Sequence, residues 1–130
     1  MNKKRQAIYD KFGGKCAYTG KPLGDDWQID HIISKVWCRC YAGTPMAVNQ
    51  DHTDNLLPTL RIINHYKRGL DLAGFRNYML TFHLRLAKLP KTTRLPSTER
   101  RKKYMQEVAD AFGITVDKPF CGIFYFETLK

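Results

Sequence analysis

The chain has 130 residues, 43% hydrophobic and 12% aromatic, which fits one domain of ordinary globular composition. No apolar run approaches the roughly 20 residues that a bilayer-spanning helix needs, and the basic start Met1-Asn2-Lys3-Lys4-Arg5 leads into no continuous apolar stretch, so an intracellular, cytoplasmic protein without a membrane partner is expected. Lys and Arg number 22 against 12 Asp and Glu, a net charge of +10 that favours polyanions as partners, nucleic acid first among them.

In chain order, Lys3 to Phe12 reads as a short helix with Ala7, Ile8 and Phe12 on one side, stopped by Gly13-Gly14. Lys15 to Leu23 is rich in turn residues. Trp27 to Ile33 is a candidate strand, with Trp27, Ile29 and His31 on one face and Gln28, Asp30 and Ile32 on the other. Ser34 to Asp54 is expected to form a long irregular loop, and such loops usually serve a function. Asn55-Leu56-Leu57 is a short return strand, after which Thr59 caps a helix running through Leu60, Ile63, Asn64 and Lys67 to a stop near Gly69. Strand, loop, strand and helix make one unit of about forty residues.

Leu72, Phe75, Met79, Phe82 and Leu86 recur at helical steps and predict one amphipathic helix with a buried stripe. Pro90 and Pro96 bracket a linker. Ser97 is expected to cap a further helix that turns Met105, Val108, Ala109 and Phe112 inward and ends at Gly113. Ile114 to Leu129, with Phe120, Ile123, Phe124, Tyr125 and Phe126, reads as a strand or hairpin. The fold class is therefore α+β. Cys16, Cys38, Cys40 and Cys121 form no Cys-x-x-Cys pair and read as reduced thiols.

The chemistry concentrates at Ile29-Asp30-His31-Ile32-Ile33. Neighbours on a strand point to opposite faces, so Asp30 and His31 serve different tasks, one able to hold a metal and the other to handle a proton. Asn55 stands before the return strand, and Asn64 lies on the helix one turn from Lys67.

These residues resemble the HNH endonucleases, part of the ββα-metal or His-Me finger group. The matching text is Lys15 to Leu23, Ile29-Asp30-His31-Ile32-Ile33, Asp54-Asn55-Leu56-Leu57-Pro58 and Ile63-Asn64-His65-Tyr66-Lys67-Arg68-Gly69, across residues 5 to 70. The resemblance implies a nuclease core over 15–70, with accessory helices and a C-terminal β segment over 71–130. It implies hydrolysis of nucleic-acid phosphodiesters, with double-stranded DNA the expected substrate. His31 maps onto the general base, a task suited to imidazole, whose ordinary pKa is about 6.5. Asp30 and Asn64 map onto the ligands of one divalent cation, Mg²⁺ in first place and Mn²⁺ as the alternative, because both offer oxygen. Asn55 maps onto the asparagine that holds the loop and positions the histidine. Lys67 and Arg68 would sit near the phosphate. His65 is the rival to Asn64 as helix ligand. Many relatives carry two Cys-x-x-Cys knuckles; here Cys16 keeps one cysteine, while Thr19, Leu60 and Ile63 stand at the other three positions. No structural zinc is expected.

Between Arg85 and Lys103, eight basic side chains face one acidic residue, Glu99. Arg100, Arg101 and Lys102 are its candidates for tracking phosphates. The alternative to catalysis is a basic DNA- or RNA-binding module on the same fold.

Overall fold

In a computed structural model that describes residues 1–33, 35–45 and 49–129, the Asp-His segment and its return strand pair as expected. β1 (Gln28–His31) runs antiparallel to β2 (Leu56–Thr59), with Asp30 opposite Leu57 and His31 opposite Leu56. All of β2 is buried. Helix α1 (Lys3–Asp10) precedes the pair, capped by Asn2, whose side chain accepts from the Arg5 N–H. Helix α3 (Arg61–Lys67) follows directly, so strand, strand and helix are consecutive in an α+β fold.

The chain divides into two compact units, Met1–Phe75 with Phe124–Lys130, and Arg76–Ile123. In the first, Ile8, Trp27 and Leu56 form a buried cluster joined by Tyr9, Leu23 and Ile29. A second aromatic group centres on Tyr18, whose ring meets Phe75 at 5.2 Å and Phe124 at 5.0 Å, both edge-on. The Tyr125 and Phe126 amides donate to the Tyr18 and Ala17 carbonyls, which fixes the tail on this turn.

Several expectations need correction. The segment read as a long loop contains helix α2 (Lys35–Cys40) and a 3-10 turn over Thr53–Asn55; Ser34 and residues 46–48 of that segment lie outside the described residues. Trp37 in α2 and Tyr41 just beyond it, four apart, meet at 4.4 Å with their rings tilted by 36°, a helical pair that the composition hides. Thr59 belongs to β2, and Leu60 is the N-cap of α3 without a side-chain bond. Buried Thr59 turns its hydroxyl to the Leu57 carbonyl instead.

The second unit takes in the end of helix α4 (Leu72–Leu80), α5 (Phe82–Ala87) and α6 (Pro96–Phe112). The continuous helix expected over Leu72 to Leu86 breaks at Thr81. There the Thr81 hydroxyl and the Arg85 guanidinium both donate to the Tyr78 carbonyl, side-chain bonds that compete with the helical ladder. The apolar stripe itself is buried at Phe75, Met79, Phe82 and Leu86. Ser97 is not the cap of α6: Leu95 is, because Pro96 suits the first helical position, where its missing N–H is no loss. Gly113 ends α6 at a φ of 70°. No strand forms after it among the described residues, which corrects the expected C-terminal β segment. Thr115 and Lys118 make one isolated bridge, and Phe120 and Phe124 are buried as single anchors. Among the described residues, no helix is long and apolar enough to cross a membrane.

Candidate active site

β1 sends its side chains to two surfaces, and the candidate residues divide between them. Gln28 and Asp30 face α3. The Asn64 amide nitrogen donates to Gln28 Oε1 at 2.7 Å, and the Lys67 ammonium lies 3.2 Å from Asp30 Oδ1. One helical turn separates Asn64 from Lys67, matching the two-residue step between Gln28 and Asp30. The Tyr18 hydroxyl donates to the other carboxylate oxygen, Oδ2. All three members of this group are buried: Asp30 is 6% exposed, Lys67 2% and Tyr18 1%. Burial pushes the Tyr18 phenol well above its ordinary pKa, and the Asp30 charge and hydrogen bond push it the same way.

Lys67, expected near the substrate phosphate, is buried against Asp30. A buried carboxylate without a counter-charge is costly, and Lys67 is the cation that α3 brings within reach. Arg68 is exposed, with a φ of 55° that ends the helix. His65 is exposed on α3, whereas Asn64 reaches β1 through Gln28.

His31 occupies the opposite surface. Its Nε2 is buried and has no hydrogen-bond partner among the described residues. The nearest counter-charge is Asp51, whose Oδ1 stands 3.6 Å away. His31 and Asp51 border a cavity of about 370 Å³ that Lys4, Arg5 and Lys35 also line. Arg5 is anchored by a 2.7 Å bond to the Trp27 carbonyl and lies 3.9 Å over the Trp27 ring. A ring nitrogen without a protein partner beside such a cavity can be met by a water or a ligand.

Asn55 secures the chain just beyond His31. Its side chain donates to the Ile33 and Gln50 carbonyls and accepts from the Ile33 N–H, while its own carbonyl accepts from the Ile32 N–H. Lys11 braces the same loop through the Thr53 and Leu56 carbonyls, each at 2.9 Å, and burial lowers its pKa although Asp54 opposes the shift.

The structure thus brings Asp30 and Asn64 to one side of β1 and sets His31 on the other. Among the described residues, no three His, Cys, Asp or Glu side chains cluster as a metal site. The turn carrying Cys16 is closed by Cys16 N–H to Lys21 O and Gly20 N–H to Cys16 O, each at 2.8 Å. Gly20 has a φ of 73°, and a Cβ there would fall 2.6 Å from the Tyr125 ring. Cys16 is buried and its sulfur accepts from the Leu60 N–H at 3.5 Å, with Ile63 also buried. Arg100 and Arg101 are exposed on α6, while Lys102 is half-buried and donates to the Lys91 carbonyl at 2.8 Å.

Sequence reasoning missed Tyr18, Gln28 and Asp51. Gln28 was open to detection, since it precedes Asp30 by one strand repeat. Tyr18 and Asp51 lie in turns and loops, where no periodicity marks direction. Compared with family models, with curated proteins and with solved structures, the chain gives no match.

Proposed function

We propose that the protein is a metal-dependent endonuclease of the HNH, ββα-metal type that hydrolyses nucleic-acid phosphodiesters, DNA first, with His31 as general base. The observation that carries this reading is the buried Nε2 of His31, 3.6 Å from Asp51 at a cavity that three cationic side chains line, with Asn55 holding the backbone two residues further on.

Lys4, Arg5 and Lys35 attract and hold the backbone phosphate. His31 Nε2 takes a proton from the attacking water, and Asp51 stabilises the imidazolium that results. Asn55 is a positioning residue: it holds the backbone that presents His31. Asp30 and Asn64 are the residues that would hold a divalent ion, although Lys67 and Tyr18 already bond the carboxylate. The Asp30 carboxylate has lone pairs beyond those met by Tyr18 and Lys67, and Asn64, bound through its nitrogen, offers its oxygen. The chemistry such an ion supplies is positive charge at the leaving oxygen. The test is nicking of supercoiled plasmid in Mg²⁺, in Mn²⁺ and in EDTA. Cutting with either metal and none in EDTA is expected; cutting that EDTA does not touch would remove the metal.

A second reading, a basic binding module without catalysis, draws support from the buried Asp30–Lys67 pair, which fills the carboxylate with a protein cation. It predicts salt-sensitive DNA or RNA binding with no cutting in any metal.

A further inference from the structure

The unit Arg76–Ile123 carries ten Lys and Arg against four Asp and Glu, so the smaller unit holds most of the chain's net charge of +10. Its cations gather in the linker after α5 and in the first half of α6. Two bonds tie linker to helix: the Thr93 hydroxyl donates to the Glu99 carboxylate, and the Lys102 ammonium donates to the Lys91 carbonyl at 2.8 Å. They bring Lys91 and Arg94 alongside Arg100, Arg101 and Lys103, with Lys88 a short step back along the linker; all six are exposed. Glu99, the acidic residue of this stretch, is already occupied by the linker. Among the described residues, none of the six cationic side chains makes a hydrogen bond or an ion pair. Helix stability does not call for this arrangement. The macrodipole rewards cations in the last turn, where α6 has none, and Arg100 and Lys103, one turn apart, repel each other.

We infer that the linker and the first half of α6 form a second seat for the nucleic-acid backbone, which holds duplex DNA by its phosphates whatever happens at His31. The partner follows from the surface. A duplex carries one charge per about 1.7 Å of its axis, and each phosphate that a Lys or Arg neutralises releases condensed counterions, so a cluster of unpaired cations is matched by such a polymer. A bilayer fits less well: α6 turns Met105, Val108 and Ala109 inward and exposes no large hydrophobic side chain, which leaves it no apolar face for lipid. The inference holds under either reading of the His31 face, because a nuclease and a binding module both need a grip on the polymer.

Two measurements on the full chain test the inference. Binding of a fluorescent 30-base-pair duplex is followed by anisotropy over a range of salt, in EDTA so that no cutting intervenes. Three proteins are compared: the wild type, the triple variant Arg94→Gln, Arg100→Gln and Arg101→Gln, and a control, Lys21→Gln, Arg61→Gln and Lys118→Gln, which removes the same charge from exposed positions elsewhere. The first triple is expected to bind about tenfold or more weakly at low salt and to flatten the dependence of log K on log salt by about 2–3, and the control to flatten it by less than about 1. In parallel, wild-type lysines are labelled with an amine-reactive reagent and read by mass spectrometry. Lys88, Lys91 and Lys103 are expected to lose reactivity when the duplex is bound while Lys118 keeps it, a result that does not depend on any variant folding. Equal effects of the two triples overturn the inference, since net charge alone would then account for binding, as does unchanged labelling of Lys88, Lys91 and Lys103. Tighter binding to phosphatidylserine vesicles than to the duplex at the same salt, lost in the first triple, also overturns it and gives the surface to lipid. Each outcome leaves the assignment of His31 untouched, because nicking is not measured.

Discussion

Asn55 and Ile33 hold each other in both directions: the amide nitrogen donates to the Ile33 carbonyl at 3.1 Å, and the amide oxygen accepts from the Ile33 N–H at 2.7 Å. The bond fixes the backbone two residues beyond His31. Asn55→Ala leaves those backbone groups unpaired and is expected to cost about 2–3 kcal/mol, read by denaturant unfolding. Stability alone does not distinguish positioning from packing. Turnover at saturating DNA is therefore expected to fall about tenfold or more, each tenfold being about 1.4 kcal/mol of barrier, with DNA affinity unchanged. Weakened affinity with unchanged turnover would remove the positioning role.

The Asp30–Lys67 pair makes a separate prediction about folding. Removing one partner of a buried pair costs about 3–5 kcal/mol, because the other is left charged and alone. Lys67→Met is expected to lie in that range. Asp30→Asn with Lys67→Met is expected to cost less than the sum of the single changes by more than about 1 kcal/mol. Additive costs in that cycle would mean the two side chains do not interact in solution.

Tyr18 sets a limit at alkaline pH. Its folded pKa is raised, so the neutral phenol is favoured by folding. The resulting stability is complete below the ordinary tyrosine pKa of about 10 and is lost as pH rises through the higher folded value. Unfolding by denaturant is expected to become easier as pH rises above about 10, and more steeply in the wild type than in Tyr18→Phe. Parallel curves for the two proteins would show that Tyr18 keeps no unusual proton.

How much of this was legible in the sequence depended on periodicity. The strand repeat placed Asp30 and His31 on opposite faces, and the helical repeat placed Asn64 and Lys67 on one. Both arrangements are present. The partners of those residues were not legible. Tyr18 reaches Asp30 from a turn, and Asp51 approaches His31 from a loop, so neither has a repeat to betray its direction. The burial of Lys67 was not legible for a physical reason: a lysine in a basic protein is usually solvated, and only the burial of Asp30 reveals that a cation is needed inside. The tail was misread because a run of aromatics favours strands in general, whereas here each ring fills its own place.

The basic face of α6 makes a prediction about affinity alone. Arg100 and Arg101 are exposed there. If they contact phosphate, Arg100→Ala with Arg101→Ala is expected to weaken DNA binding at low salt and to flatten the dependence of log K on log salt by about 1–2. Cutting at saturating DNA should be unchanged. An unaltered salt slope would leave these arginines as a solvated surface.

The most direct measurement compares His31→Ala with the wild type in one plasmid sample, following both nicking in Mg²⁺ and DNA binding. The expected result is loss of nicking by about a hundredfold or more, the usual range for a general base, with binding retained. Nicking at the wild-type rate by His31→Ala would contradict the assignment of His31 as the base.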